Sequence, residues 1–455
     1  MIKYDDKNGQ NPLNRITANC SYYPIFDLAQ RMSELTSPST SYFDTELVSG
    51  NTILQAELGL TAGEDSYAAT IKESYTGEAI VVPLTIDGKK IVTLKNRSAT
   101  VKRIFFEKDP DTGSSNILYF LGGFGNGFTK INDAYNAETV DQQNNTLEYV
   151  EFKACKNLKA ISGGMTGTDM QSHEFGGCKA LYVDELPDSI EWIGYGAFRD
   201  CPEVAITKLP NSLTYIGDYA FRKCTGLHTL DMSAFSPDPE VRTSICLGAF
   251  QNCTNLSFGN DYYFKGWNTI GDYVFDGCSS LRAFDSASSP DDTTLTTIGD
   301  YAFYNCRNLG LVSLPKSLER IGARGLALGG NTVGQVSIGL SALSAKISFI
   351  GDRAFSGCYL TNGVSGSLVW RLNATENPQV NAHAFTGLVC QRIRFADWGS
   401  PDAVYADYDE NRDPKWMLAQ VAPWYSTDTG EYLLPFGAVV AVNGAPTPYS
   451  IDANN

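Results

Sequence analysis

The sequence predicts a β-rich solenoid, right-handed, with short helical turns, and three registered columns of residues predict it. Phenylalanine recurs at Phe152, Phe175, Phe198, Phe221, Phe250, Phe275 and Phe303, with Leu326, Phe355 and Phe385 continuing the series. The shortest spacing, 23 residues, defines the unit, and longer spacings carry insertions. Three positions after the aromatic residue stand Cys155, Cys178, Cys201, Cys224, Cys253, Cys278, Cys306 and Cys358. Five positions before it stand Ile193, Ile216, Ile270, Ile298, Ile321 and Ile350, each followed by glycine. A fixed period of this length is the signature of stacked repeats.

Each part of the unit has a physical reading. The glycine after isoleucine suits a positive-φ turn at a strand end. Asp218, Asp272, Asp300 and Asp352 follow it, where a carboxylate can cap the first amides of a helical turn. Ala220, Phe221 and Cys224 then share one buried side of that turn. After the cysteine, apolar residues return at the third, sixth and eighth positions (Leu227, Leu230, Met232), which reads as a turn followed by a period-two strand. Leu186-Pro187, Leu209-Pro210 and Leu314-Pro315 close that strand, because proline cannot continue a ladder. At about 5 Å per coil, roughly ten coils span on the order of 50 Å.

The combined pattern, legible at Cys306, Leu309, Leu314-Pro315, Ser317-Leu318 and Ile321, resembles the BspA-like, or Treponema-type, bacterial leucine-rich repeats. The resemblance covers roughly residues 145–390, and residues 75–89 look like an opening coil of the same family. Two units depart from it: Leu326 lacks the alanine, phenylalanine and cysteine, and Leu388 takes the cysteine position after Phe385. The resemblance implies a non-enzymatic binding or adhesion protein displayed outside a bacterial cell.

The chain divides accordingly. Residues 1–70 read as an N-terminal module or cap, including an amphipathic helix over 24–35 and strand candidates beyond 39. Residues 71–150 hold the lead-in and irregular first coils, with strand-like runs at 91–94 and 101–107. The solenoid occupies 151–390, its polar insertions at 232–246, 286–294 and 328–346 forming loops. From 391 to 455 the period stops, tryptophans gather (Trp398, Trp416, Trp424), and a C-terminal cap or small β module is expected.

Composition restricts function. A net charge of −16 opposes binding to nucleic-acid phosphates. No apolar run reaches the ~20 residues of a membrane helix. The N-terminus has no basic segment followed by an apolar one, so no signal peptide is expected in this chain. That absence keeps open a second reading, in which the chain is a structural or receptor-binding component of a larger assembly such as a phage particle. Eight of the eleven cysteines lie in the single column, which reads as packed reduced thiols rather than a disulfide framework or a metal site. Cys20, Cys246 and Cys390 fall outside it.

The chemistry-bearing motifs are sparse. Asp407, Asp409, Asn411 and Asp413 alternate like half a calcium loop, but Arg412 and Leu418 stand where such a loop needs glycine and glutamate. A solvated acidic loop is the reading favoured there, with calcium left open. Gly122 to Phe128 is glycine-rich without the lysine and serine or threonine of a phosphate loop. His173, His228 and His383 share no ligand or triad spacing. No catalytic residue, cofactor or metal is expected. The candidate site is instead a surface: positions four, five and seven after each cysteine should face outward from the longer strand. From these, Tyr182, Glu185, Lys208, His228, Asp231, Arg282 and Asp285 are singled out as a strip for a protein or glycan partner.

Overall fold

The structure is a computed structural model. It describes residues 39–48, 65–120, 147–161, 175–232, 245–258 and 267–281 without interruption. Further on it describes 283–285, 295–309, 311–315, 317–327, 346–356 and shorter pieces between and beyond these, the last at 445–446. The described residues form a β-solenoid with almost no helix.

Isoleucine builds the most regular ladder, because a β-branched residue with one buried face suits a short strand. Ala160–Ile161 pairs in parallel with Trp192–Ile193, which pairs with Tyr215–Ile216. Ile216 bridges to Ile245 of the next coil. The ladder resumes through Thr269–Ile270, Thr297–Ile298, Arg320–Ile321 and Phe349–Ile350 to Gln379–Val380. Ile245 is a member that the sequence pattern missed, since Cys246 replaces the expected glycine and the preceding insertion hides the register.

The phenylalanine column is a continuous stack. Phe175, Phe198, Phe221, Phe250, Phe275 and Phe303 are fully buried, with adjacent ring centroids 5.3–5.7 Å apart and planes within 21°. That spacing is the coil repeat itself. Leu326 keeps its place in the column, fully buried and bonded through its amide to Ala354, so the irregular unit does not interrupt the stack.

Three local expectations differ from what the backbone does. First, the stretch around each phenylalanine is not a helical turn but a run of tight turns. In the coil of Phe221, the amides of Ala220, Arg222 and Cys224 bond three residues back, to Gly217, Tyr219 and Phe221. The alternate amides of Tyr219, Phe221 and Lys223 bond to Leu247, Ala249 and Gln251 of the next coil. A helix would spend every amide within the coil, whereas this alternation ties coil to coil. Second, the aspartates cap across coils rather than within one: Asp218 accepts from the amide of Leu247 (3.0 Å), Asp272 from Asp300 (2.7 Å) and Asp300 from Ala323 (2.8 Å).

Third, the glycines after isoleucine do not carry the positive φ. Gly217, Gly299, Gly322 and Gly351 are required because a Cβ there would lie 2.3–2.7 Å from backbone atoms of the preceding coil. The left-handed residue comes two positions later, at Gly196, Tyr219, Gly248, Tyr273, Tyr301, Arg324 and Arg353, with φ between 50° and 59°. Five of these seven are bulky residues in a conformation that costs a non-glycine roughly 1–2 kcal/mol.

The cysteines do more than fill space. Six of the thiols donate to the carbonyl of the residue in the phenylalanine slot one coil earlier. Cys201 reaches Phe175 (2.9 Å), Cys224 Phe198 (3.0 Å), Cys253 Phe221 (2.9 Å), Cys278 Phe250 (3.1 Å), Cys306 Phe275 (3.1 Å) and Cys358 Leu326 (3.0 Å). The five phenylalanine carbonyls among these also accept the amide of their own coil's cysteine, as Phe198 does from Cys201 (3.1 Å). The nine described cysteines, from Cys155 to Cys358, are buried thiols that form no disulfide.

One apolar core runs from Phe43 to Ala384. Strands Phe43–Leu47 and Ser66–Ile71, inside the stretch read as an N-terminal module or cap, pair antiparallel with each other. The second pairs in parallel with Lys89–Asn96, so this stretch shares the solenoid's sheet and core. Strand Arg103–Phe106 covers most of the run expected at 101–107. Beyond residue 391, strand Arg392–Asp397 pairs with Ser367–Leu372, and Val439–Val442 with Val389–Cys390. The helix expected at 24–35, the glycine-rich 122–128 and the acidic 407–413 lie outside the described residues.

Candidate functional site: the outward strand face

A second ladder follows the cysteines, and the candidate strip lies on it. Val183 bridges in parallel to Val204, Lys208 to Asp231 and Thr229 to Ser257. Farther along, Ala283–Asp285 pairs with Leu311–Ser313. The register of Lys208 with Asp231 is held by the amide of Leu209 bonding to Asp231 (3.0 Å) and that of Asp231 bonding to Thr207 (2.7 Å). Both side chains are exposed, so a cation and a carboxylate stand on adjacent coils of the outer face.

His228 is exposed, and its Nδ1 lies 2.6 Å from the carbonyl of Gly226. A carbonyl oxygen only accepts, so Nδ1–H is the donor in this contact. Tyr182 is half-buried, and burial first, then nearby Asp184, raises its phenol above the ordinary value. The neutral phenol is therefore a donor at physiological pH. Glu185 is exposed and turned toward Lys153, 3.1 Å away, an exposed pair that contributes little to stability. Asp285 lies on the ladder opposite Ser313. Arg282 lies outside the described residues, as do His173 and His383.

The expected outward set needs one correction. The fifth position after cysteine points inward in three coils: Ala160, Val183 and Ile206 are 1–3% exposed. In two of these coils the sixth position, Asp184 or Thr207, is exposed instead. In the coil of Cys224 the expected order holds, with Thr229 exposed and Leu230 buried. The ladder is made of single bridges here, so strict alternation is not enforced, and whichever of the two residues is apolar turns inward.

A second outward file went unread in the sequence, on the isoleucine ladder. Trp192 and Tyr215, each one residue before the isoleucine, stack with centroids 3.5 Å apart. Arg320 lies 3.9 Å from the ring centroid of Phe349 in the same file. The signal was present in the residue preceding each isoleucine, an outward position by strand alternation. Near the N-terminal strands, an open depression of about 480 Å³ is lined by Asp44, Lys72, Glu73, Ser74 and Arg97. It holds neither a histidine nor a nucleophilic thiol. Among the described residues no group of three or more histidine, cysteine or acidic side chains is placed to hold a metal ion. No helix among them is long and apolar enough to cross a membrane.

The family model of the BspA type leucine rich repeat region matches this sequence in six copies, over residues 145–282 and 243–369. The chain carries BspA-type leucine-rich repeats. The columns described above are the features that recur along these repeats. A leucine-rich repeat protein from Bacteroides ovatus is similar at 16% identity over 78% of this chain and 75% of its own, with a TM-score of 0.44. A leucine-rich repeat protein of T. pallidum has 19% identity over 60% of this chain and 89% of its own (TM-score 0.33). A leucine rich cell surface protein from Faecalibacterium prausnitzii has 17% identity over 82% and 98% (TM-score 0.33). None of the three supports the phage-particle alternative. No curated protein matches the sequence.

Proposed function

We propose that this leucine-rich repeat chain is a non-enzymatic binding and adhesion protein, presenting its outward strand face to a protein or glycan partner outside a bacterial cell. One observation carries the reading: Lys208 and Asp231 are held in register on adjacent coils, exposed, with His228 exposed beside them. Extended surfaces made by coil stacking are how solenoids engage ligands. Tyr182 extends that surface one coil away, and the sequence pattern assigns Arg282 and Asp285 to the same strip. In this reading residues 1–70 and 391–455 close the two ends of the solenoid, and 71–150 and 151–390 form its first and regular coils.

The test is to screen the purified chain against immobilised glycans and surface proteins. Any hit is then repeated with the double variant Tyr182→Ala, Lys208→Ala and with a chain ending at residue 390. Loss of about tenfold or more in the double variant, with an unchanged melting temperature, supports the strand face. Full affinity in the double variant and loss on truncation would move the site to the C-terminal region.

A further inference from the structure

The left-handed slot, third after each isoleucine, forms a separate edge of the solenoid. Gly196 and Gly248 occupy it in two coils, which shows what residue the backbone accepts freely there. Tyr273, Tyr301, Arg324 and Arg353 occupy the same slot at φ 50–58°. Their side chains are half-buried, so core packing does not account for them. A residue kept against its backbone preference at a partly exposed position points toward recognition.

What these side chains do is specific. Tyr273 and Tyr301 stack with centroids 4.7 Å apart and planes within 8°. Tyr304 meets Tyr301 edge-on at 5.3 Å. The guanidinium carbon of Arg324 lies 5.5 Å from the Tyr301 centroid and 5.8 Å from that of Tyr304. The neighbouring arginines have carboxylates: Arg320 pairs with Asp300 at 3.8 Å and Arg353 with Asp352 at 2.9 Å. Among the described residues no carboxylate lies within ion-pair distance of Arg324. Its guanidinium is always charged, both tyrosine rings lie within cation–π range of it, and its N–H fork suits a planar oxyanion. On a chain of net charge −16, an arginine among tyrosines with no carboxylate partner among the described residues stands out.

We propose that Arg324, mounted on Tyr301 and Tyr304, anchors a second docking surface along this turn edge, for a protein partner that presents an exposed carboxylate. The pair would be bidentate, and the stacked tyrosines would supply the surrounding contact area. Tyrosine and arginine are the residue types that dominate interface energies.

The probes are a fluorescent Gly-Glu-Gly-Glu-Gly peptide and its glutamine counterpart, used on the full chain at low ionic strength. Arginine modification by phenylglyoxal, read by peptide mass, reports on Arg324 directly. The glutamate peptide is expected to bind and to slow modification of Arg324, and the glutamine peptide to do neither. R324G should melt at the same or a higher temperature, because glycine suits the slot, and should bind the glutamate peptide about tenfold more weakly or worse. R324K, which keeps the charge without the fork, should fall between. A lower melting temperature for R324G would make the side chain structural and overturn the proposal. So would equal effects of the two peptides, undiminished binding by R324G, or no protection by the glutamate peptide at millimolar concentration.

Discussion

A buried cysteine that only filled space would leave a small cavity when changed to alanine. In this solenoid the exchange also removes a donor from a carbonyl. Cys224 supplies its thiol to Phe198, which still has the Cys201 amide, so the acceptor is not left bare. Cys224→Ala should therefore cost about 1–2 kcal/mol, from cavity and lost bond together. Cys224→Ser, which can still donate, should cost less if the shorter hydroxyl reaches; urea unfolding of both variants gives the comparison. Burial holds these thiols protonated: Cys155 is pushed up to about 12, and burial also raises Cys201, Cys224, Cys253, Cys278 and Cys306. Between the unfolded thiol's value near 9 and the folded value, the native state binds more protons than the unfolded one. Their contribution is complete below about pH 9 and falls as pH rises, by about 1.4 kcal/mol per unit for each thiol. Melting temperatures measured from pH 7 to pH 10 should be flat at first and drop steeply above 9. A flat profile through pH 10 would mean that the thiols are not held protonated.

At the scale of the element, the unit of structure is the stacked turn rather than the helix the spacing suggested. Ala220, Phe221 and Cys224 do share a buried side, as the sequence pattern requires, but tight turns satisfy that pattern as well as a helical one. Only the destination of the alternate amides separates the two, and that destination is in the next coil, beyond the reach of a local pattern. The glycine after isoleucine was legible as a constraint, but its cause was not, because the atom it avoids belongs to the preceding coil. Gly322→Ala would place a Cβ 2.5 Å from the backbone of Asp300 and Gly299. Backbone at that position cannot yield cheaply, so the variant should lose roughly 1–3 kcal/mol or more in thermal or urea unfolding. Asp300→Ala removes an acceptor from the Ala323 amide and should cost about 1 kcal/mol. An unchanged Gly322→Ala variant would refute close coil contact at the glycine column. The candidate strip was legible in the same partial way: Lys208 and Asp231 were placed outward by alternation and are outward. Val183 and Ile206 broke the alternation because single bridges leave the chain free to turn apolar groups inward.

Across the described coils, one stack of aromatic rings and one file of thiols bind the turns into a single core. Phe221→Ala opens a void in the middle of the stack and should cost about 3–5 kcal/mol, more than any single cysteine or glycine change outside backbone contact. The proposed binding role depends on this stack, since the outward ladders have a fixed register only while the coils do. Labelling of the native protein with N-ethylmaleimide, read peptide by peptide, tests that arrangement most directly. Cys201, Cys224, Cys253, Cys278 and Cys306 should stay unlabelled until the chain is denatured and then react completely. Rapid labelling of any of them in the native protein, or disulfide-linked peptides between neighbouring coils, would contradict it.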